Sequence, residues 1–190
     1  MKILLSVLIF IFGLQYWAKA DNIRDFEIEG MSLYESALNF FSQSEIKKNE
    51  EDYYNNKTFK TATIRSRKFD VYEDVQISYK TNDKEYLLYD ISGIVDKKYN
   101  SCLKEIVKIS EDFNQMFSKT KFEELYTFKH NSDPSGESEV SDMYWEFKNG
   151  DKILLACYNW NTSFGKKKGY VDEMRITISS KEFDTFLLNE

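Results

Sequence analysis

Proline, histidine and cysteine are nearly absent from this 190-residue chain, which holds one, one and two of them respectively. With a single histidine, a multi-histidine zinc site within one chain is excluded. The scarcity of proline, beside 16% aromatic residues, describes a folded chain and not a disordered one. Glycine is sparse too, at 7 residues. The one turn that invites a phosphate reading, at Gly30, has a single glycine between Glu29 and Glu35. A phosphate cradle needs several glycines or a lysine at the helix start, and flanking carboxylates repel an anion. Basic residues are outnumbered 26 to 32, for a net charge of −6. Nonspecific nucleic-acid binding and docking on an anionic membrane both depend on clustered Lys and Arg, so neither partner is expected.

Long apolar runs are missing beyond the first residues. Lys2 supplies a positive start, residues 3–14 form an apolar core, and Ala18-Lys19-Ala20 is a small-x-small cleavage site. Residues 1–20 therefore read as a signal peptide, with Asp21 as the mature start. The run is short of the roughly 20 residues a membrane span needs, so no span is expected in the mature chain. No cysteine follows the cleavage site to carry a lipid. Residues 21–190 suit one domain, long enough to bury roughly 70% of the surface of the unfolded chain. In an oxidising compartment, an isolated pair such as Cys102 and Cys157 is expected to form a disulfide. The long loop it closes would stabilise the fold by about 4 kcal/mol in the chain-entropy model.

Periodicity points to an α+β fold with helices packed on antiparallel β-sheet. Residues 26–29 alternate like a strand. Ser32 with Glu35 has the spacing of a capping box, and Leu33, Ala37, Phe40 and Phe41 recur at helical intervals, which predicts a first helix. Ser42 with Glu45 predicts a second short turn of helix, and residues 47–56 a loop. Strands are predicted over 59–65, 75–79 and 86–94. Cys102, Ile106, Ile109, Phe113 and Met116 then predict a long helix capped by Asn100 or Ser101. Further strands are expected over 125–130, 143–147, 152–160 and 174–178, with a hairpin at Asn149-Gly150, a loop at 164–169 and a closing helix from Ser180. The hairpins 77–92 and 144–160 resemble each other, which suggests two similar halves, 26–98 and 99–190.

Candidate chemistry is thin. His130 neighbours Asn131, Ser132 and Asp133, but adjacent loop residues do not form a triad, whose members converge from distant segments. No catalytic residue and no cofactor is indicated, and an enzyme ranks third among the readings. In the loop 131–142, Asn131, Asp133, Ser135 and Asp142 fall at calcium-loop positions around Gly136. Pro134 interrupts the loop, and Asp142 is shorter than the usual bidentate glutamate, so a solvated turn is favoured. The aromatics Tyr144, Trp145, Tyr158 and Trp160 lie on paired strands. One face of that ribbon belongs to the core, and the other presents a possible binding surface.

Residues 21–49, the strand segments 75–80 and 89–94, and the tail segments 156–160 and 175–187 together resemble an uncharacterised exported family of SAR11-type marine alphaproteobacteria. The resemblance implies a periplasmic protein, in which the sequons at Asn56 and Asn161 are irrelevant, and it brings no activity. Gly30, Ser32 and Glu35, spaced G-x-S-x-x-E, are similar at fold level to small periplasmic modules of the outer-membrane assembly lipoprotein and β-lactamase-inhibitor-protein type. That likeness implies a helix on antiparallel sheet. The chain lacks both the G-x-P that closes the helix in those modules and the lipid-bearing cysteine, so no assembly or inhibitor role follows. The function expected is a non-enzymatic binding or interaction module whose partner, protein or small ligand, is unknown. The alternative is a small apolar-ligand carrier with a pocket between helices and sheet.

Overall fold

The computed structural model describes residues 22–190; the expected leader and cleavage site lie outside the described residues. Eight strands form one sheet: β1 (Glu50–Glu51), β2 (Phe59–Arg65), β3 (Asp74–Lys80), β4 (Asp90–Asp96), β5 (Lys121–Lys129), β6 (Glu139–Glu146), β7 (Lys152–Asn159) and β8 (Glu173–Ser179). Every pairing is antiparallel, and the order is β1-β2-β3-β4-β8-β7-β6-β5. The helices are α1 (Gln43–Lys48), α2 (Tyr99–Met116), α3 (Thr162–Lys168) and α4 (Lys181–Leu187). This is an α+β fold with helices on an antiparallel sheet. Among the described residues, no helix is long and apolar enough to cross a membrane.

Strand alternation decides the two faces. Ala62, Ile64, Val75, Ile77, Ile91, Ile176, Ile178, Ile153, Leu155 and Trp145 point one way and are buried. Against them lies α2, whose Cys102, Ile106 and Phe113 recur on one stripe, as the helical spacing predicts. Phe26, Phe113, Phe117, Trp145 and Phe147 fill this layer with edge-to-face contacts, centroids 5.2 to 6.0 Å apart. The expected disulfide is present: Cys102 in the first turns of α2 is bonded to Cys157 on β7, with Cα atoms 5.8 Å apart. It clamps the helix to the strand it packs on. The cap of α2 differs from expectation. Helix begins at Tyr99, so Asn100 and Ser101 lie inside the first turn and Lys98 offers no side-chain cap.

The predicted first helix is corrected. Residues 31–41 form no α-helix, only a 3-10 turn at Ala37–Asn39. Glu29 and Gly30 both adopt left-handed φ, 51° and 79°, in a tight turn that pairs Ile28 with Met31. Half of the capping box survives, as Ser32 N–H donates to Glu35 at 3.1 Å. Tyr34 then takes φ 68°, which ends any helical path. The backbone instead pairs with the segment before β4. Tyr34 N–H donates to Leu88 O, Leu88 N–H to Glu35 O and Ala37 N–H to Tyr86 O. Leu33, Ala37 and Phe41 still reach the core, so the apolar spacing is real while its helical interpretation is not. The second box does start a helix, with Ser42 Oγ accepting from Glu45 N–H ahead of α1.

Two further expectations change. The 164–169 loop belongs to α3, capped by Asn161, whose side chain accepts from Ser163 and Phe164 N–H, and ended by Gly169 at φ 76°. At Asn149-Gly150 only Gly150 is left-handed, and Phe147 N–H donates to Asp151 O. The connection is thus a three-residue loop with an αL glycine, longer than the two-residue hairpin its dipeptide suggests. The sheet order joins the run β1–β4 to the run β5–β8 at β4–β8. The similar-looking hairpins, β3–β4 and β6–β7, occupy different places in those runs.

Candidate functional site

The second face of the sheet is polar and carries charge in its interior. One row across the strands reads Thr63, Gln76, Ser92, Thr177, Leu154, Tyr144, and the next reads Ile94, Arg175, Ala156, Asp142, Tyr126. At one end α4 caps this face: Phe183 and Phe186 pack on Phe59 and Tyr54. At the other end Trp160 gathers His130, Tyr158, Phe164 and Tyr170, with centroids 4.5 to 5.9 Å away. Between the two aromatic caps, Thr63, Gln76, Thr177, Leu154, Asp142 and Arg175 remain partly exposed.

Arg175 organises this strip. Its Nε donates to Glu173 Oε1 at 2.5 Å, its Nη1 donates to Gln76 Oε1 at 3.1 Å, and the guanidinium lies 4.6 Å over the Tyr158 ring. Burial works against its charge, but Tyr158 and Glu173 more than offset that, so its pKa is raised and the charge is kept. Burial lifts Glu173 despite that neighbour, and lifts the Tyr158 phenol. Two more carboxyls sit off their usual range. Burial pushes Asp142 up to about 6, with Lys152 pulling back, and pushes Asp90 up to about 7 against the opposing Ser179 hydroxyl and Arg175 charge. His130 is half-buried; burial and then Arg175 lower its pKa, and its Nδ1 accepts from Ser132 N–H at 3.1 Å. That bond places the ring proton on Nε2 of the neutral imidazole. Asp90 and Asp142 do not form a pair, because they are on strands separated by β8 and β7.

A charge buried alone makes stability depend on pH. Asp90 titrates near 7 when folded and near 3.9 when unfolded, so the folded chain binds the extra proton between those values. The contribution of Asp90 to stability is therefore full below about pH 4 and falls as pH rises towards 7. Asp90→Asn is expected to raise the urea midpoint at pH 7.5 and leave it unchanged at pH 3.5. Equal effects at both pH values would show that Asp90 titrates in the folded chain as it does in the unfolded one.

Of the aromatics expected at a binding surface, Tyr144, Tyr158 and Trp160 lie on this face, half-buried. Lys152 Nζ rests 4.7 Å over the Tyr144 ring. Trp145 is corrected: it is on the core face, 0% exposed, with Nε1 donating to Asn114 at 2.9 Å. The calcium-loop candidates do not converge. Asp133 accepts from the N–H and hydroxyl groups of both Ser135 and Ser138, and the hydrogen bond from Ser138 leads in holding its carboxyl down at about 2. Asn131 remains on the exposed loop, and Asp142 is part of β6 on the sheet face. Among the described residues no group of three or more His, Cys, Asp or Glu is placed to hold a metal ion. Arg175, Glu173, Gln76 and Asp90 were not singled out from sequence. For Glu173 and Arg175 the signal was the alternation of β8, where Glu173, Arg175, Thr177 and Ser179 oppose Met174, Ile176 and Ile178. No protein-family model, curated protein or solved structure matches this chain.

Proposed function

We propose that the chain is an exported periplasmic binding module, without catalytic activity, that takes its ligand on the strip around Arg175. Export rests on the leader and cleavage site, and the bonded cysteines suit an oxidising compartment. The observation that carries the binding reading is the largely buried Arg175 on the sheet, its side chain 20% exposed, stacked on Tyr158 and hydrogen-bonded to Glu173 and Gln76. Holding such groups out of bulk water is costly, and a ligand that completes their hydrogen bonds recovers part of that cost. Aromatic walls with polar groups between them suit a ligand with a flat apolar face and polar edges. The carrier reading has less support, because rings occupy the layer between α2 and the sheet where its pocket was expected.

Tyr53, 45% exposed on the loop after β1, is coupled electrostatically to Tyr170 and Arg175 and stands at the margin of the strip. Native mass spectrometry of chain recovered from host periplasm is expected to show a retained small molecule. Tyr53→Ala, at an exposed ring that meets Tyr54 edge-on, is expected to reduce retention while the melting temperature of the ligand-free chain changes little. Full retention in Tyr53→Ala and in Arg175→Gln alike would place the site elsewhere.

A further inference from the structure

The sheet has two edges of unlike kind. β1 is 2 residues long, whereas β5 has 9 and carries Leu125, Tyr126 and Phe128 at 41%, 68% and 40% exposure. Tyr126 and Phe128 stack with planes at 16° and project from the same face, opposite Asp142 and Val140 of β6. An exposed apolar edge strand is a template for another strand.

We propose that the occupant of this edge is a second copy of the chain, joined by antiparallel pairing of two β5 strands about Thr127. Three features select that occupant and register. His130 N–H donates to Ser138 O, so residues of even number from 126 to 130 spend their backbone groups on β6. By the alternation of an antiparallel ladder, Thr127 and Lys129 point theirs outward. Pairing about Thr127 then joins outward-pointing residues and keeps each side chain on its own face. Next, it sets Tyr126 of each copy across from Phe128 of the other, which buries four exposed rings as two cross-strand aromatic pairs. The competing register about Leu125 would use the full strand, but it sets Lys121 against Lys129 and runs through the bulge between Glu123 and Tyr126. Like charges directly opposite are destabilising. Finally, pairing about Thr127 brings Lys129 within one residue of Glu124 in the other copy, where the charges attract.

The pairing does not propagate, because the other edge among the described residues, β1, is 2 residues long. The product is a closed two-fold dimer with one continuous sheet.

Sedimentation from about 1 μM to about 1 mM is expected to show a monomer–dimer equilibrium and nothing larger. Tyr126→Lys is expected to weaken dimerisation at least about tenfold without changing the monomer's melt. Thr127→Pro removes an outward N–H and no internal ladder bond, and is expected to abolish dimer. Should that variant fold poorly, amide exchange of the native chain decides: the Thr127 and Lys129 N–H groups slow as concentration rises, while exchange elsewhere does not. A chain that stays monomeric at the highest concentration overturns the proposal, and so does a dimer indifferent to Tyr126→Lys with unprotected β5 amides.

Discussion

Replacing both half-cystines, by Cys102→Ala with Cys157→Ala, is expected to lower the free energy of unfolding by about 4 kcal/mol. The bond spans 55 residues, so it removes a large share of the unfolded chain's freedom. Both cysteines are 0% exposed, which gives the experiment a sharp internal control. Dithiothreitol added to the native protein should leave its spectrum unchanged, whereas the same reagent in the urea transition should move the midpoint as far as the double substitution does. The melting temperature should fall by roughly 10 °C, since about 1 kcal/mol shifts a domain of this size by 2–4 °C. Thiol titration of unreduced native material should find no reactive group. A double variant as stable as the parent would mean that α2 and β7 are held by packing alone.

How the bridge was foreseen and the first helix was not comes down to what each signal specifies. Two cysteines leave one intramolecular pairing, so composition is enough. Apolar spacing at Leu33, Ala37 and Phe41 says only that these side chains go inward. It does not say how the backbone satisfies its N–H and C=O groups, and here residues 85–88 offered partners that a helix did not need. The left-handed φ of Tyr34 is likewise set by that long-range pairing and leaves no local mark. The long helix was legible because eighteen residues of amphipathic repeat overdetermine it. For the candidate site, strand alternation places Tyr158 and Arg175 on one face, but which strands are neighbours depends on β8 inserting between β4 and β7, a pairing of distant segments. Arg175 meets Gln76 only because of that insertion, across 99 residues of chain.

Trp145→Ala is expected to cost about 3–5 kcal/mol, the range for deleting a large buried aromatic. The indole is fully buried, 5.0 Å from Phe122 in a stacked pair and 5.2 Å from Phe113 edge-on, so its removal leaves a cavity bounded by rings that cannot all collapse. It also removes the hydrogen bond from Nε1 to the side-chain oxygen of Asn114, an exposed residue whose oxygen water can satisfy instead. Trp145→Phe should separate these contributions, because it keeps most of the packing and loses only the donor. Tyr144 is the adjacent residue on the opposite face, half-exposed, and Tyr144→Ala should cost far less in urea unfolding. The contrast between neighbours tests the register of β6, on which the assignment of both faces depends. A shift by one residue would exchange the two outcomes, making Tyr144 the costly deletion and bringing Trp145 beside Arg175. Equal costs for the two deletions would show that the second face is covered as thoroughly as the core, and would leave the strip around Arg175 without room for a ligand.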